Sequence, residues 1–228
     1  MKPDPRSDVP TSVTMKLSLP FTLFALALAP LGCQSPKSPP TDAQSTASVG
    51  TDPGGVGRGT PLGAKPGHAL AAFAAGCFWG VEDAFRHVRG VTATAVGYTG
   101  GHTDDPNYET VCSHTTGHAE TVLVEFDPKV VSYDRLVTVF FTIHDPTQLD
   151  RQGPDVGDQY RSEIFTFDDA QAKAAQSIRE AEQKKSGQKL ATKIEPVARF
   201  WKAEDYHQQY AERTGSHGCP IKLPDEST

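Results

Sequence analysis

The sequence predicts an α+β domain, a two-layer sandwich around one mainly antiparallel, mixed β-sheet. Between residues 68 and 214, runs of strand length are mixed with segments of helical periodicity. They do not follow the strict strand–helix alternation of a parallel sheet. A content of 37% hydrophobic and 22% charged residues is ordinary for a globular protein, and a domain of this size can bury a sizeable core.

The first half of the domain is predicted to contain three strands and one helix. The helix prediction rests on Phe78, Val81, Phe85 and Val88, which share one face at helical spacing. The predicted segments are a strand at 69–75, a helix at 78–88, a strand at 91–98, a polar loop at 100–117 with one helical turn near 109–113, and a strand at 119–126.

The second half is predicted to contain three helices and two strands. Ser132 and Asp168 are the N-cap candidates of the first two helices, and Gly187 ends the second. The predicted segments are a helix at 132–144, a polar loop at 145–160, a strand at 161–167, a helix at 168–186, a strand at 190–197 and a helix at 203–213.

Residues 1–33 are interpreted as an N-terminal extension and an export signal. Lys16 precedes an apolar run at 17–31 that is short for a membrane span but typical of a secretory signal. The ending Leu31-Gly32-Cys33 resembles a bacterial lipoprotein cleavage box, in which the cysteine is lipidated. Pro30 departs from that pattern, so secretion without lipid and an uncleaved anchor remain alternatives. The protein is therefore expected to be exported to the cell envelope, as a membrane-anchored lipoprotein or a periplasmic protein.

Two further segments flank the predicted domain, which spans 68–214. Residues 34–67 are rich in Pro, Gly, Ser and Thr with few large apolar side chains, which predicts a disordered tether. Residues 215–228 are predicted to form a mobile C-terminal tail. A formal net charge of −6 and the absence of a Lys/Arg cluster argue against nucleic-acid binding.

Cys77 is the candidate nucleophile among four cysteines that are too sparse for a disulfide scaffold. It lies between a predicted strand and a predicted helix, where backbone N–H groups and the helix dipole favour a thiolate. The neighbouring Phe78 and Trp79 offer an apolar pocket for a thioether-like group. On spacing alone, a buried structural cysteine beside two core aromatic residues remains an equal alternative.

The run Gly76-Cys77-Phe78-Trp79-Gly80 is similar to the signature of the A-type methionine sulfoxide reductases. Further blocks resemble that family in the same order, from about Phe73 to Tyr210. They are Val96-Gly97-Tyr98-Thr99-Gly100-Gly101, Asn107-Tyr108-Glu109, Val111-Cys112-Ser113, Thr116-Gly117-His118-Ala119-Glu120, His144-Asp145-Pro146, Asp158-Gln159-Tyr160-Arg161-Ser162 and Tyr206-His207-Gln208-Gln209-Tyr210.

The resemblance implies a ferredoxin-like domain of that family's type and reduction of the S epimer of methionine sulfoxide, free or in proteins. It implies a thioredoxin-like reductant and no metal or organic cofactor. The protein is also expected to be a monomer. The resemblance assigns the proton donor to Glu120 and the oxygen-holding phenols to Tyr108 and Tyr160. It assigns Asp155 to orienting the site, although Asp150 and Asp158 lie close by. Without the resemblance, an exposed glutamate and rim tyrosines would be the ordinary interpretation.

A resolving thiol is also implied, and Cys219 in the tail fits that role, with a surface thiol as the alternative. Cys112 is interpreted as structural and His118 as a support of its loop. Two other functions remain open. One is a metal site near Cys112, built with His102, His114 and His118, whose spacing fits no standard zinc pattern. The other is a thiol peroxidase or disulfide exchanger, against which the absence of Cys-x-x-Cys argues.

Overall fold

The structure, a computed structural model, describes residues 48–216. The export signal, Cys33 and Cys219 lie outside the described residues. No helix within 48–216 has both the length and the apolar character needed to cross a bilayer. The elements are β1 (Ala69–Ala75), α1 (Phe78–Arg86), β2 (Val91–Thr99), α2 (Tyr108–Cys112), β3 (Ala119–Phe126), α3 (Tyr133–Ile143), β4 (Arg151–Gln152), β5 (Asp155–Val156), β6 (Ser162–Thr166), α4 (Asp169–Ser186), β7 (Lys193–Pro196), β8 (Trp201–Lys202) and α5 (Tyr210–Thr214).

Six strands form one sheet in the order β7-β6-β1-β3-β2-β8. Only the β6–β7 pair is parallel among them, and the other pairs are antiparallel. The predicted mainly antiparallel, mixed sheet is therefore confirmed. The short strands β4 and β5 form a separate hairpin inside the segment that was predicted to be a plain loop.

The helices α1, α3 and α4 contribute the main hydrophobic core with one face of the sheet. Phe73 of β1 stacks on Phe85 of α1 and on Phe140 of α3, with ring centroids 4.8 and 5.6 Å apart. The predicted helix caps are present, because Ser132 and Asp168 accept the N–H groups of Arg135 and Gln171. Gly187 ends α4 in the left-handed conformation, as expected for a helix C-terminus.

Residues 48–67, here termed the N-terminal arm, contribute two side chains to a second hydrophobic cluster that includes small side chains of the sheet. Val56 is buried in this cluster, and Leu62 is partly buried against it. They meet Phe200 and a group of residues with short or aliphatic side chains: Ala72, Ala74, Ala95, Ala119 and Leu123. The prediction of a disordered tether that reaches residue 67 is therefore wrong from residue 48 onwards.

A buried carboxylate explains why the N-terminal arm is ordered. Glu125 of β3 has 0% exposure, and its carboxylate accepts the backbone N–H of Gly54 at 2.9 Å. The ammonium group of Lys65 lies 3.2 Å from the second oxygen of the same carboxylate. A buried charge without such partners would be strongly destabilising. The arm therefore provides the hydrogen-bond donor and the positive charge that the carboxylate of Glu125 needs.

The prediction of one helix over 203–213 is also wrong. Residues 205–209 form turns, and only Tyr210–Thr214 is helical. The side-chain amide of Gln208 accepts the N–H of Val96 at 3.0 Å and donates to the Val96 carbonyl at 2.9 Å. These two bonds satisfy the backbone groups of Val96 at the edge of β2, where a neighbouring strand would otherwise do so. The side chain therefore competes with the helical hydrogen bonds that the sequence pattern suggested.

Candidate active site

Cys77 lies at the turn between β1 and α1, as the N-cap residue of α1. Its half-buried side chain is a thiol, as is that of Cys112. Gly76 before it has φ of +97°, and a Cβ there would lie 2.8 Å from the side chain of Gln152. A glycine is thus required for the chain to turn sharply and leave the thiol at the first turn of the helix.

Glu120 of β3 is held against the same turn. The side chain is 2% exposed, and its Oε2 accepts the backbone N–H of Phe78 at 3.0 Å. Burial raises the pKa of Glu120 from 4.5 to about 8, since it outweighs the bond from Phe78, and the charge of Asp155 raises it further. At pH 7 the carboxyl is therefore mainly protonated. It can donate a proton beside Cys77 while Oε2 keeps its bond to Phe78.

Two phenols face the same region and keep their protons at neutral pH. Burial raises the pKa of Tyr108, and the charges of Cys112, Glu120 and Cys77 act in the same direction. Burial likewise raises the pKa of Tyr160, with the charge of Glu120 as the next cause. Both phenols are thus neutral hydrogen-bond donors, which suits a polar but uncharged S–O group.

Asp155 is carried by β5 and lies half-buried in the short hairpin. Its charge raises the pKa values of both Glu120 and Tyr160. Neither Asp150 nor Asp158 is among the causes that shift the pKa of Glu120. Of the three neighbouring aspartates, Asp155 is therefore the one whose charge reaches the acid.

A histidine that the sequence analysis left without a role completes the aromatic wall. His207 is 1% exposed, and its Nδ1 accepts the indole N–H of Trp79 at 3.0 Å. Its ring centroid lies 5.0 Å from that of Phe78 and 4.7 Å from that of Tyr108. Burial lowers the pKa of His207, so the ring is neutral and its proton is on Nε2. The ring joins Phe78, Trp79 and Tyr108 into one wall.

Glu204 is a second residue without a role in the sequence analysis. One carboxylate oxygen accepts the backbone N–H of Tyr108 at 2.9 Å, and the other accepts the hydroxyl of Tyr98 at 3.0 Å. It therefore fixes the first residue of α2 to β2. Only the resemblance of residues 206–210 to the family pointed to this part of the chain, and periodicity predicted a helix there instead.

The structure links Cys77, Glu120, Tyr108, Tyr160 and Asp155 through a chain of electrostatic interactions. Tyr108 interacts with Cys77 and Glu120, and Tyr160 and Asp155 both interact with Glu120. The wall residues Phe78 and Trp79 directly follow the thiol. The half-buried thiol of Cys112 forms a hydrogen bond with the side chain of Tyr108 and lies at the edge of this group. Cys219 is outside the described residues, so the structure gives no position for the expected resolving thiol.

The alternative metal site gains no support from the histidines. His118 accepts the N–H of Gly101 at Nδ1 and donates from Nε2 to the carbonyl of Thr103 at 2.8 Å. Both of its nitrogens therefore support the loop, as expected. His114 instead faces the carboxylate of Asp158 at 3.3 Å. Between residues 48 and 216, no three His, Cys, Asp or Glu side chains are grouped so that they could hold a metal ion.

A helix-start thiol, a protonated acid bonded to the next residue and two neutral phenols define a thiol-based oxidoreductase. Residues 69–227 match the family described as peptide methionine sulfoxide reductase. A Methanosarcina acetivorans protein named peptide methionine sulfoxide reductase MsrA is 57% identical over 161 residues, covering 68% of this chain and 85% of the relative. The chain belongs to this family, in its A type.

Solved structures agree with this assignment. The crystal structure of Mxr1 from Saccharomyces cerevisiae in reduced form has a TM-score of 0.67 and 39% identity, covering 70% of this chain and 94% of that chain. The structure of Mxr1 in complex with Trx2 has a TM-score of 0.50 and 30% identity, covering 73% of this chain and 96% of that chain. The resemblance noted in the sequence is thus confirmed, and so is the fold.

Proposed function

We propose that the chain reduces methionine (S)-S-oxide, free or in proteins, with Cys77 as the nucleophile. The Cys77 thiolate attacks the sulfoxide sulfur while the oxygen is held by the phenols of Tyr108 and Tyr160. The S–O bond of the substrate breaks and its oxygen ends on the Cys77 sulfur. The substrate gains two electrons and leaves as methionine, and Cys77 becomes a sulfenic acid.

The position of Glu120 is the observation that carries this proposal. A carboxyl with a pKa of about 8, bonded to the residue after the nucleophile, can protonate the departing oxygen at neutral pH. The neutral phenols stabilise the same oxygen through hydrogen bonds. Phe78, Trp79 and His207 form an apolar wall suited to the methyl group on the substrate sulfur.

We further propose that Cys219 resolves the sulfenic acid. Its thiol attacks the Cys77 sulfur, the S–S bond forms, and the oxygen leaves as water with the proton of the attacking thiol. A dithiol donor of the thioredoxin type then reduces this disulfide and is itself oxidised. The complex of the related Mxr1 with Trx2 supports a donor of this class.

The test is turnover of the two sulfoxide epimers by the full chain with dithiothreitol, with Cys77→Ser as the blank. The S epimer should be reduced and the R epimer left unchanged, because the phenols and the wall fix the order of groups around the sulfur. Reduction of both epimers at similar rates, or of neither by the folded and reduced protein, would contradict the proposal. Oxidation of the thiols by hydrogen peroxide at the same rate would instead favour a thiol peroxidase.

We propose in addition that the chain works outside the cytoplasm as a monomer anchored by lipid at Cys33. The proposal is supported by the apolar run at 17–31 and by the ending Leu31-Gly32-Cys33. Cys33→Ser should release the protein from the membrane fraction of a bacterial host and abolish fatty-acid labelling. Labelling that persists in the variant would exclude Cys33 as the lipidated residue, and sedimentation as a dimer would exclude the monomer.

A further inference from the structure

Arg58 of the N-terminal arm is held against the edge of the sheet by the backbone around it. The residue itself forms an antiparallel bridge with β8. On one side, the carbonyl of Gly57 accepts the N–H of Lys202 at 3.1 Å. On the other side, Gly59 donates its N–H to the carbonyl of Phe200 at 2.9 Å. The starting point of the Arg58 side chain is therefore fixed relative to β8.

The guanidinium group of Arg58 joins β8 to the loop that leads into α2. Its Nη1 donates to the carbonyl of Lys202 at 2.9 Å, and its Nη2 donates to the carbonyl of Pro106 at 2.7 Å. Its Nε donates to the carboxylate of Asp105 at 2.7 Å. Asp105 has φ of +48°, in the left-handed region that residues other than glycine seldom adopt. The guanidinium contacts thus support the loop at its least favourable backbone position.

The two carbonyls that Arg58 binds lie close in the chain to an active-site hydrogen bond. Pro106 precedes Tyr108 by two residues, and Lys202 precedes Glu204 by two residues. The carboxylate of Glu204 accepts the backbone N–H of Tyr108 at 2.9 Å. The guanidinium group and this hydrogen bond therefore connect the same two segments at successive points. Of these two connections, only the one from Glu204 would remain if the guanidinium group were removed.

We propose that Arg58 is a positioning residue for the phenol of Tyr108: it fixes the loop before α2 against β8. The inference rests on the proposed function, in which Tyr108 holds the sulfoxide oxygen. Arg58 acts through the backbone of its partners and moves no proton or electron. It lies outside residues 69–227, the part of the chain that matches the family, so membership of the family does not assign it a role.

The experiment measures the first step alone, as methionine release in a single turnover of the full, reduced chain without added thiol. Varying the sulfoxide concentration separates the limiting rate from the half-saturating concentration. In Arg58→Gln the limiting rate should fall about three- to tenfold, because a displaced phenol stabilises the departing oxygen less well. The half-saturating concentration should change by less than about twofold, since the aromatic wall keeps its contacts. Arg58→Lys should also be slow, because its donors lie on one atom.

A double-mutant cycle separates positioning of the phenol from a general loosening of the fold. In a Tyr108→Phe background, Arg58→Gln should cause no further loss, because the group that Arg58 positions is then absent. Arg199→Gln is the matched control, since it removes an arginine that pairs with Asp104 of the same loop at 3.3 Å. The limiting rate should be unchanged in this variant.

Three results would overturn the proposal. They are a wild-type limiting rate in Arg58→Gln, a loss of the same factor with and without the phenol at residue 108, and an equal loss in Arg199→Gln. A wild-type chain that releases no methionine would instead contradict the proposed function itself.

Discussion

Replacing Glu120 by glutamine is expected to lower kcat for sulfoxide reduction by about 10²- to 10³-fold, the range lost when a positioned acid or a hydrogen-bond donor is removed. Glutamine keeps the shape of the side chain and can still accept the N–H of Phe78. It cannot deliver a proton to the departing oxygen. The loss should therefore fall on the chemical step and leave KM for the sulfoxide little changed.

The pH dependence gives this prediction a second readout. The acid form is required and the pKa of Glu120 is about 8, so activity should be present below this pH and fall about tenfold per unit above it. In Glu120→Gln this fall should disappear. The exposed glutamate at the start of α2 offers a control, because Glu109→Gln should keep both the rate and the pH profile.

Unfolding should not explain the loss. The pKa of Glu120 is near 4.5 in an unfolded chain and about 8 in the folded one, so the folded state binds more protons between these values. Its stability therefore decreases as the pH rises through that window, and glutamine has no proton to lose. The variant should be at least as stable as wild type at pH 7 in a urea titration. An unchanged kcat would remove Glu120 from the role of the acid.

Replacing Gly97 by alanine is expected to lower the free energy of unfolding by about 3 kcal/mol or more, since the added methyl would overlap main-chain atoms. A Cβ at Gly97 would collide with the backbone oxygen of Trp201 and would lie 2.5 Å from the ring of Phe200. Gly97 pairs with Lys202 across the β2–β8 ladder, so the backbones must separate to relieve the overlap.

The same variant should disturb the site at a distance. Ala203 donates to the carbonyl of Val96 at 3.0 Å, and Glu204 follows it directly. Moving β8 would therefore move the carboxylate that holds Tyr108. Thermal unfolding and kcat should both decrease, whereas Gly63→Ala, where a Cβ would meet nothing within 4 Å, should change neither. A Gly97→Ala protein with wild-type stability would show that the edge strand adapts freely.

The sequence was sufficient for most of the sheet and for the helices with clear boundaries. β1 and β3 have the predicted bounds, and the caps of α3 and α4 are at the predicted residues. Prediction from the sequence failed where distant residues, rather than neighbouring strands or local turns, provide the hydrogen-bonding or charged partners. Gln208 serves the edge of β2, and Glu125 is neutralised by residues more than fifty positions away in the chain. Neither periodicity nor composition contains such long-range pairings.

The site was predictable through family resemblance more than through physics. A lone glutamate at a strand start would ordinarily be exposed, and only burial beside Phe78 turns Glu120 into a neutral acid. The roles of His207 and Glu204 depend on turns that bring residues 203–209 against the aromatic wall. Since these turns are set by bonds to β2, no local pattern could reveal them.

Because of the N-terminal arm, the start of the folding unit does not coincide with the start of the family match. The family match begins at residue 69, whereas the folding unit already includes residues from 48 onwards. A graft of the shared homologous region alone onto another protein would leave Glu125 without its partners. Exchanges between relatives should therefore carry these twenty-one additional residues as part of the unit, even though they lie outside the residues that match the family.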